Sequence, residues 1–111
     1  MNITTHVLNT ATGKPAAGIT VYLYYANKES WLEVSRSVTN KDGRIGGFEL
    51  NGDTLQMGVY KLRFETKAYF TEQALATFYP VVEIVFETSA SEHYHVPLLL
   101  NPFGYSTYRG S

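Results

Sequence analysis

The chain contains no cysteine, so neither a disulfide nor a thiolate metal ligand holds any part of it together. That absence fits a reducing or an oxidising compartment equally. Excess charge of one sign is missing too. Nine basic and ten acidic side chains give a formal net charge of −1, and they are dispersed along the sequence. Without a basic stripe the electrostatic footprint of a nucleic-acid binder is absent. No apolar run approaches the roughly 18 residues that a membrane helix needs, so no membrane partner is expected. The first residues, Met1-Asn2-Ile3-Thr4-Thr5-His6, lack a basic and apolar leader pattern. The last, Arg109-Gly110-Ser111, are not a peroxisomal address. A cytoplasmic location is expected, with a periplasmic one open if a leader has been removed.

What is present suffices for one domain spanning residues 1–111. Hydrophobic side chains make up 44% and aromatics 14% of the 111 residues, enough to sustain a core without cross-links. The dominant period is two. Ile19, Val21 and Leu23 alternate with Thr20, Tyr22 and Tyr24, and Tyr60, Leu62 and Phe64 alternate with Lys61, Arg63 and Glu65. Leu32, Val34 and Val38 share a parity interrupted by Arg36, and Val82, Ile84 and Phe86 share another. Tyr94, Val96, Leu98 and Leu100 form the last strong apolar series. Such alternation marks strands with one face inward. Turn signals divide the strands: Thr12-Gly13-Lys14-Pro15, Asn40-Lys41-Asp42-Gly43, Asn51-Gly52-Asp53 after a short segment from Ile45 to Leu50, and Asn101-Pro102-Phe103-Gly104. Seven or eight strands are expected. Ala68 to Ala76 lacks alternation and is rich in helix formers. It predicts one short helix, with Thr71 as its cap and Glu72 in its first turn. Strands at this spacing with one minor helix predict an all-β sandwich.

Parity also sorts the polar residues. If the Tyr94 series points inward, His93 and His95 point outward. His6 shares a face with Thr4 and Leu8, opposite Ile3, Thr5 and Val7, and either face could be the inner one. An outward histidine on a strand is usually only solvated. His93-Tyr94-His95 presents two imidazoles on one face, but no carboxylate is spaced to complete a metal site. No metal or other cofactor is expected. A Gly-x-Ser-x-Gly elbow, a phosphate loop and a dinucleotide fingerprint are all missing. Gly43-Arg44-Ile45-Gly46-Gly47 reads as a connection between strands, with Arg44 a surface charge on this evidence alone.

Two stretches at opposite ends carry more information. Thr5-His6-Val7-Leu8-Asn9-Thr10-Ala11-Thr12-Gly13-Lys14-Pro15-Ala16 resembles the N-terminal signature of the transthyretin-like family. The run from His93 through Tyr94-His95-Val96-Pro97-Leu98 to Asn101-Pro102-Phe103-Gly104-Tyr105-Ser106-Thr107 resembles its C-terminal signature. The closing Tyr108-Arg109-Gly110-Ser111 is similar to the mark of that family's hydroxyisourate hydrolase branch. Asp42-Gly43-Arg44, Tyr60-Lys61-Leu62-Arg63-Phe64 and Phe78-Tyr79-Pro80 follow in the family's order, so the resemblance spans essentially the whole chain.

The resemblance implies a transthyretin-like β-sandwich of two four-stranded sheets with one short helix, assembled as a homotetramer with sites at dimer–dimer contacts. It implies hydrolysis of 5-hydroxyisourate, a step of urate (purine) breakdown, to 2-oxo-4-hydroxy-4-carboxy-5-ureidoimidazoline. Its catalytic positions fall on His6, Arg44 and His95. His6, Arg44, Tyr108, Arg109, Gly110 and Ser111 would bind substrate. The match around Tyr94-His95-Val96 selects His95 over His93, a choice parity leaves open. Neutral imidazole suits a base that activates water, because its ordinary pKa of about 6.5 lies near working pH. His6 is the leading base and His95 the residue that positions water or relays its proton, although the two roles are interchangeable on sequence grounds. Arg44 offers a planar fork to a developing oxyanion. Ser111 offers a hydroxyl contact and a terminal carboxylate; a nucleophilic serine is the weaker reading, since no Ser-His-acid arrangement is discernible. Where the family usually has aspartate this chain has Asn9, read as a structural change that retains a turn-forming acceptor. The runner-up function is a non-catalytic carrier of a small ligand in the same channel. A carrier requires an apolar slot, which these polar residues oppose. An immunoglobulin-like adhesive module would leave both terminal motifs unexplained.

Overall fold

The computed structural model describes residues 1–48 and 56–111. In chain order its elements are β1 (Asn2–Asn9), β2 (Lys14–Pro15), β3 (Thr20–Asn27), β4 (Ser30–Val38), β5 (Arg44–Ile45), β6 (Gly58–Phe64), α1 (Thr66–Glu72), β7 (Val82–Thr88), β8 (His93–Asn101) and β9 (Gly104–Thr107). They form two sheets. One runs β2-β1-β8-β9 with β5 also on β1, and the other runs β4-β3-β6-β7. The expected pair of four-stranded sheets is therefore met in one sheet and exceeded by a strand in the other. The extra count comes from two-residue strands: β2 pairs with the end of β1 and β5 with its middle. The expected segment from Ile45 keeps its start in β5; its end at Leu50 and the Asn51-Gly52-Asp53 turn lie outside the described residues.

The inward series are those that alternation predicts. Val21, Leu23, Leu62, Phe64, Val82 and Leu98 are fully buried, and Ile3, Val7, Tyr94, Val96 and Leu100 nearly or fully so. Burying such a side chain contributes about 1.5–3 kcal/mol relative to leaving it in water. Tyr60 brings a polar end into this core. Its hydroxyl donates to the Gln56 carbonyl, and burial, with Tyr25 beside it, pushes the phenol up to about 12, so it stays protonated.

Two local expectations are corrected. The helix begins at Thr66 and ends at Glu72, not Ala68 to Ala76, and its N-cap Glu65 makes no side-chain cap bond. Thr71 falls in the last turn. Tertiary contact sets this position: Thr66 and Phe70 are fully buried, and the Lys67 amide donates to the Pro80 carbonyl at 3.1 Å. The helix stops where Ala74 takes a φ of 58°. In β4, Leu32 and Val38 are exposed, and of the apolar series only Val34 packs on the core. That strand is an edge, and a register shift between Leu23 and Tyr24 breaks its parity against β3.

Candidate functional site

The site is built on the outer face of the β1–β8 pair. Ile3, Thr5 and Val7 are buried, which turns Thr4, His6 and Leu8 outward. On β8 the burial of Tyr94, Val96 and Leu98 does the same for His93 and His95. The two strands run parallel with Thr4 opposite His95 and His6 opposite Pro97. Short β5 pairs antiparallel on β1 with Arg44 opposite His6, so these two side chains share that face.

Arg44 reaches its place through the turn before it. The Asn40 side-chain oxygen accepts from the Asp42 and Arg44 amides at 2.9 and 3.0 Å. Gly43 follows with a φ of 73°, its amide donating to the Asn40 carbonyl and its carbonyl accepting from Val7 at 2.7 Å. A Cβ at Gly43 would stand 2.4 Å from the Val7 carbonyl oxygen. Only glycine satisfies both the left-handed backbone and the close approach.

The last residues return along β8. The Gly110 amide donates to the His95 carbonyl at 2.8 Å. A Cβ there would lie 2.5 Å from His95 Cδ2, so the imidazole rests on bare backbone. Ser111 then enters a hollow of about 220 Å³ shared with Thr4, Arg44, Gly46, His93 and His95. His95 is held at below its ordinary basicity, first by burial and then by Arg44, His93 and His6. Near neutral pH it is an uncharged imidazole able to accept a proton.

The sequence-predicted residues divide into two groups. Arg44, His95 and Ser111 line this hollow, Gly110 lies against the His95 ring, and His6 stands beside them opposite Arg44. Tyr108 and Arg109 line a second hollow of about 240 Å³ against β7, which His95 also borders. The Arg109 guanidinium stacks over the Tyr94 ring, 4.7 Å from its centre, and ion-pairs with Glu92. Among the described residues no cluster of three or more His, Asp or Glu side chains is arranged to hold a metal ion.

Sequence reasoning passed over Thr4 and set His93 aside. Thr4 Oγ1 lies 2.8 Å from His93 Nε2 and 2.7 Å from His95 Nδ1. The signal available was parity, since Thr4 shares His6's face. Asn9 sits on the opposite, inward face, 1% exposed. Its Oδ1 accepts from the Ala11 and Thr12 amides, and its Nδ2 donates to the Tyr69 hydroxyl. The position is structural, and a charge there would not face His6.

Comparison with known proteins agrees with this architecture. A family model described as HIUase/Transthyretin family matches residues 3–110. A mouse 5-hydroxyisourate hydrolase is 46% identical over 98% of this chain and 94% of its own length. The structure of Klebsiella pneumoniae 5-hydroxyisourate hydrolase superposes with a TM-score of 0.86 at 36% identity, covering all of both chains. Sea bream transthyretin in complex with thyroxine superposes with a TM-score of 0.90 at 29% identity, covering 99% of this chain and 95% of that one. The backbone thus fits a hydrolase and a transthyretin bound to thyroxine almost equally, so the fold alone does not separate the two.

Proposed function

The chain belongs to the HIUase/Transthyretin family, and from that premise we propose how it hydrolyses 5-hydroxyisourate, the activity named for the mouse and Klebsiella relatives. The observation that carries the assignment is the set of polar side chains that converge on the hollow beside Ile45 and Gly46: Arg44, His93, His95, Thr4 and Ser111. An apolar ligand seated there would cover the Arg44 guanidinium without offering it a hydrogen-bond partner.

In the proposed mechanism His95 is the base and His6 helps Arg44 hold substrate and water. Nδ1 of His95 is taken up by Thr4, which leaves Nε2 to accept a proton from water. The water oxygen bonds to a carbonyl carbon of the six-membered ring, and the carbonyl oxygen becomes an oxyanion. The Arg44 fork stabilises that charge. Collapse breaks the ring C–N bond, and the leaving nitrogen recovers the proton from His95. General-base action of this kind contributes roughly 10²–10⁴-fold. The preference for His95 over His6 rests on its Nδ1 anchored by Thr4. Ser111 contributes a hydroxyl to the substrate's far edge, and Gly110 seats the His95 ring.

Relatives of this family support oligomeric assembly around a small-molecule substrate. The finer reading is a homotetramer in which the site is completed at a dimer–dimer contact. The hollow of about 220 Å³ falls below the roughly 300–1,000 Å³ usual for ligand pockets, as suits one wall of a larger site. The test is the ultraviolet decay of freshly generated 5-hydroxyisourate with and without the protein, with its mass in solution measured alongside. A protein-dependent acceleration lost in His95→Ala is expected. Folded protein that gives no acceleration over spontaneous decay overturns the assignment.

A further inference from the structure

We propose that Thr4 and His93 form a proton relay behind His95, in which the Thr4 hydroxyl passes the proton taken from water to the solvent-exposed His93. The proposal rests on the hydrolytic reading of the same hollow. It adds two positioning residues that reach the reaction only through His95.

The geometry is the starting point. The Thr4 hydroxyl touches His95 Nδ1 at 2.7 Å and His93 Nε2 at 2.8 Å, and Thr4 is only 8% exposed. A hydroxyl carries one proton, so it donates to one ring nitrogen and accepts from the other. The tautomers of the two histidines are therefore coupled. When His95 carries its proton on Nδ1 it donates to Thr4, Thr4 donates to His93 Nε2, and His95 Nε2 is bare. That is the form able to receive a proton from water. When the chain of bonds points the other way, His95 Nε2 carries the proton and is ready to deliver it.

The step balances without any further reactant. Water loses a proton to His95 Nε2 as its oxygen bonds to the substrate carbonyl carbon. The Nδ1 proton of His95 moves to Thr4 Oγ1, and the hydroxyl proton of Thr4 moves to His93 Nε2. His95 ends neutral in its other tautomer and His93 ends as imidazolium. When the ring C–N bond breaks, His95 Nε2 gives its proton to the leaving nitrogen and the relay runs back, restoring the starting state. One face of one histidine thus serves as base and then as acid.

Electrostatics favour moving the charge. Burial opposes an imidazolium at His95, and so do the groups that bear on it: Arg44 from β5, His93 from its own strand and His6 from β1. His93 is exposed, and its ring centre stands 6.2 Å from that of His95. Water solvates a cation there more fully than at half-buried His95.

The test compares Thr4→Val, Thr4→Ser and His93→Gln with wild type and His95→Ala, reading kcat and KM against pH. Thr4→Val keeps the branched shape and removes the hydroxyl; Thr4→Ser keeps the hydroxyl. His93→Gln preserves a hydrogen-bonding group beside Thr4 but cannot be protonated to carry the charge. The relay predicts that Thr4→Val and His93→Gln lose roughly tenfold to a hundredfold in kcat, part of the full general-base effect, with KM within about twofold. Thr4→Ser should stay near wild type. In mixtures of H₂O and D₂O, wild-type kcat should respond as more than one proton in motion, and His93→Gln as one. A wild-type kcat in His93→Gln overturns the relay, as does a loss confined to KM. His93 is exposed, so its variant carries the test alone if Thr4→Val does not fold. Failure of the underlying reading looks different: the wild type would then give no acceleration over spontaneous decay, or His95→Ala would keep wild-type turnover.

Discussion

The two outer faces of this sandwich are built by the same alternation but treat charge in opposite ways. On the β4-β3-β6-β7 sheet every prominent cation has a partner. Lys61 meets Glu83 at 3.3 Å, Arg63 meets Glu65 at 3.0 Å, and Arg36 meets Glu33 at 2.9 Å. Lys61 also lies over the Tyr24 and Trp31 rings and Arg36 over Tyr22. On the β1–β8 face, Arg44 and three histidines converge, and among the described residues Arg44 makes no ion pair with a carboxylate. Burial first, and then the influence of Arg44, His93 and His6, lowers the basicity of His95. A neutralised face is a solvated surface, whereas an unneutralised one retains the capacity to bind an electron-rich substrate and hold a neutral base.

The sharpest way to break the comparison is one truncation on each face. His95→Ala should cost roughly 10²–10⁴-fold in kcat, with little change in thermal unfolding. Lys61→Ala on the far face should leave kcat unaltered. Equal losses from both would mean that the faces do not differ in function.

Gly110→Ala tests whether the site depends on backbone as well as side chains. The new methyl would stand 2.5 Å from His95 Cδ2, so the ring must swing away from its place. A loss of about tenfold or more in kcat is expected, since small misplacements of a catalytic group are costly. Wild-type turnover in this variant would show that the His95 ring needs no such seat.

Arg44→Ala probes the electrostatic half of the contrast. Removing the cation takes away one of the influences that lower His95, so its pKa should rise toward 6.5. Followed by NMR titration, the midpoint moves to higher pH, and any residual activity loses its acid limb at higher pH as well. The stability effect has a definite sign. A histidine whose folded pKa lies below its unfolded value stabilises the fold less as pH drops below about 6.5, because the unfolded chain binds the proton more readily. Arg44→Ala should narrow that window, and an unchanged or lower midpoint would contradict it.

The smallest effect belongs to Glu83→Gln. The carboxylate pairs with Lys61 and more distantly with Arg63, both on a solvated surface. The expected change in stability is within about 1 kcal/mol, diminishing further at high salt, with unchanged kcat. Measurable loss of activity would place that face within reach of the site.

Much of the fold is legible along the chain. Tyr60, Leu62 and Phe64, and Tyr94 through Leu100, alternate so cleanly that their inward faces follow from the period of a strand. Once β8 is oriented, the outward turn of His93 and His95 follows as well. The helix limits do not, because burial of Phe70 and Thr66 overrides local capping chemistry. The exposure of Leu32 and Val38 is equally hidden, since it depends on β4 being an edge and on a register shift.

By itself, then, the sequence determined the strands, their inner faces, the polar character of the outer β8 face and, through its two terminal motifs, the family. These are properties of residue order, carried by a period of two and by short local signatures. Only the tertiary structure decided that Thr4 stands opposite His95, that β5 sets Arg44 beside His6, and that Thr4 bonds two imidazoles. Each is a choice of register between segments some 40 to 90 residues apart. Register is settled by which face packs into the common core, and no single segment contains that information.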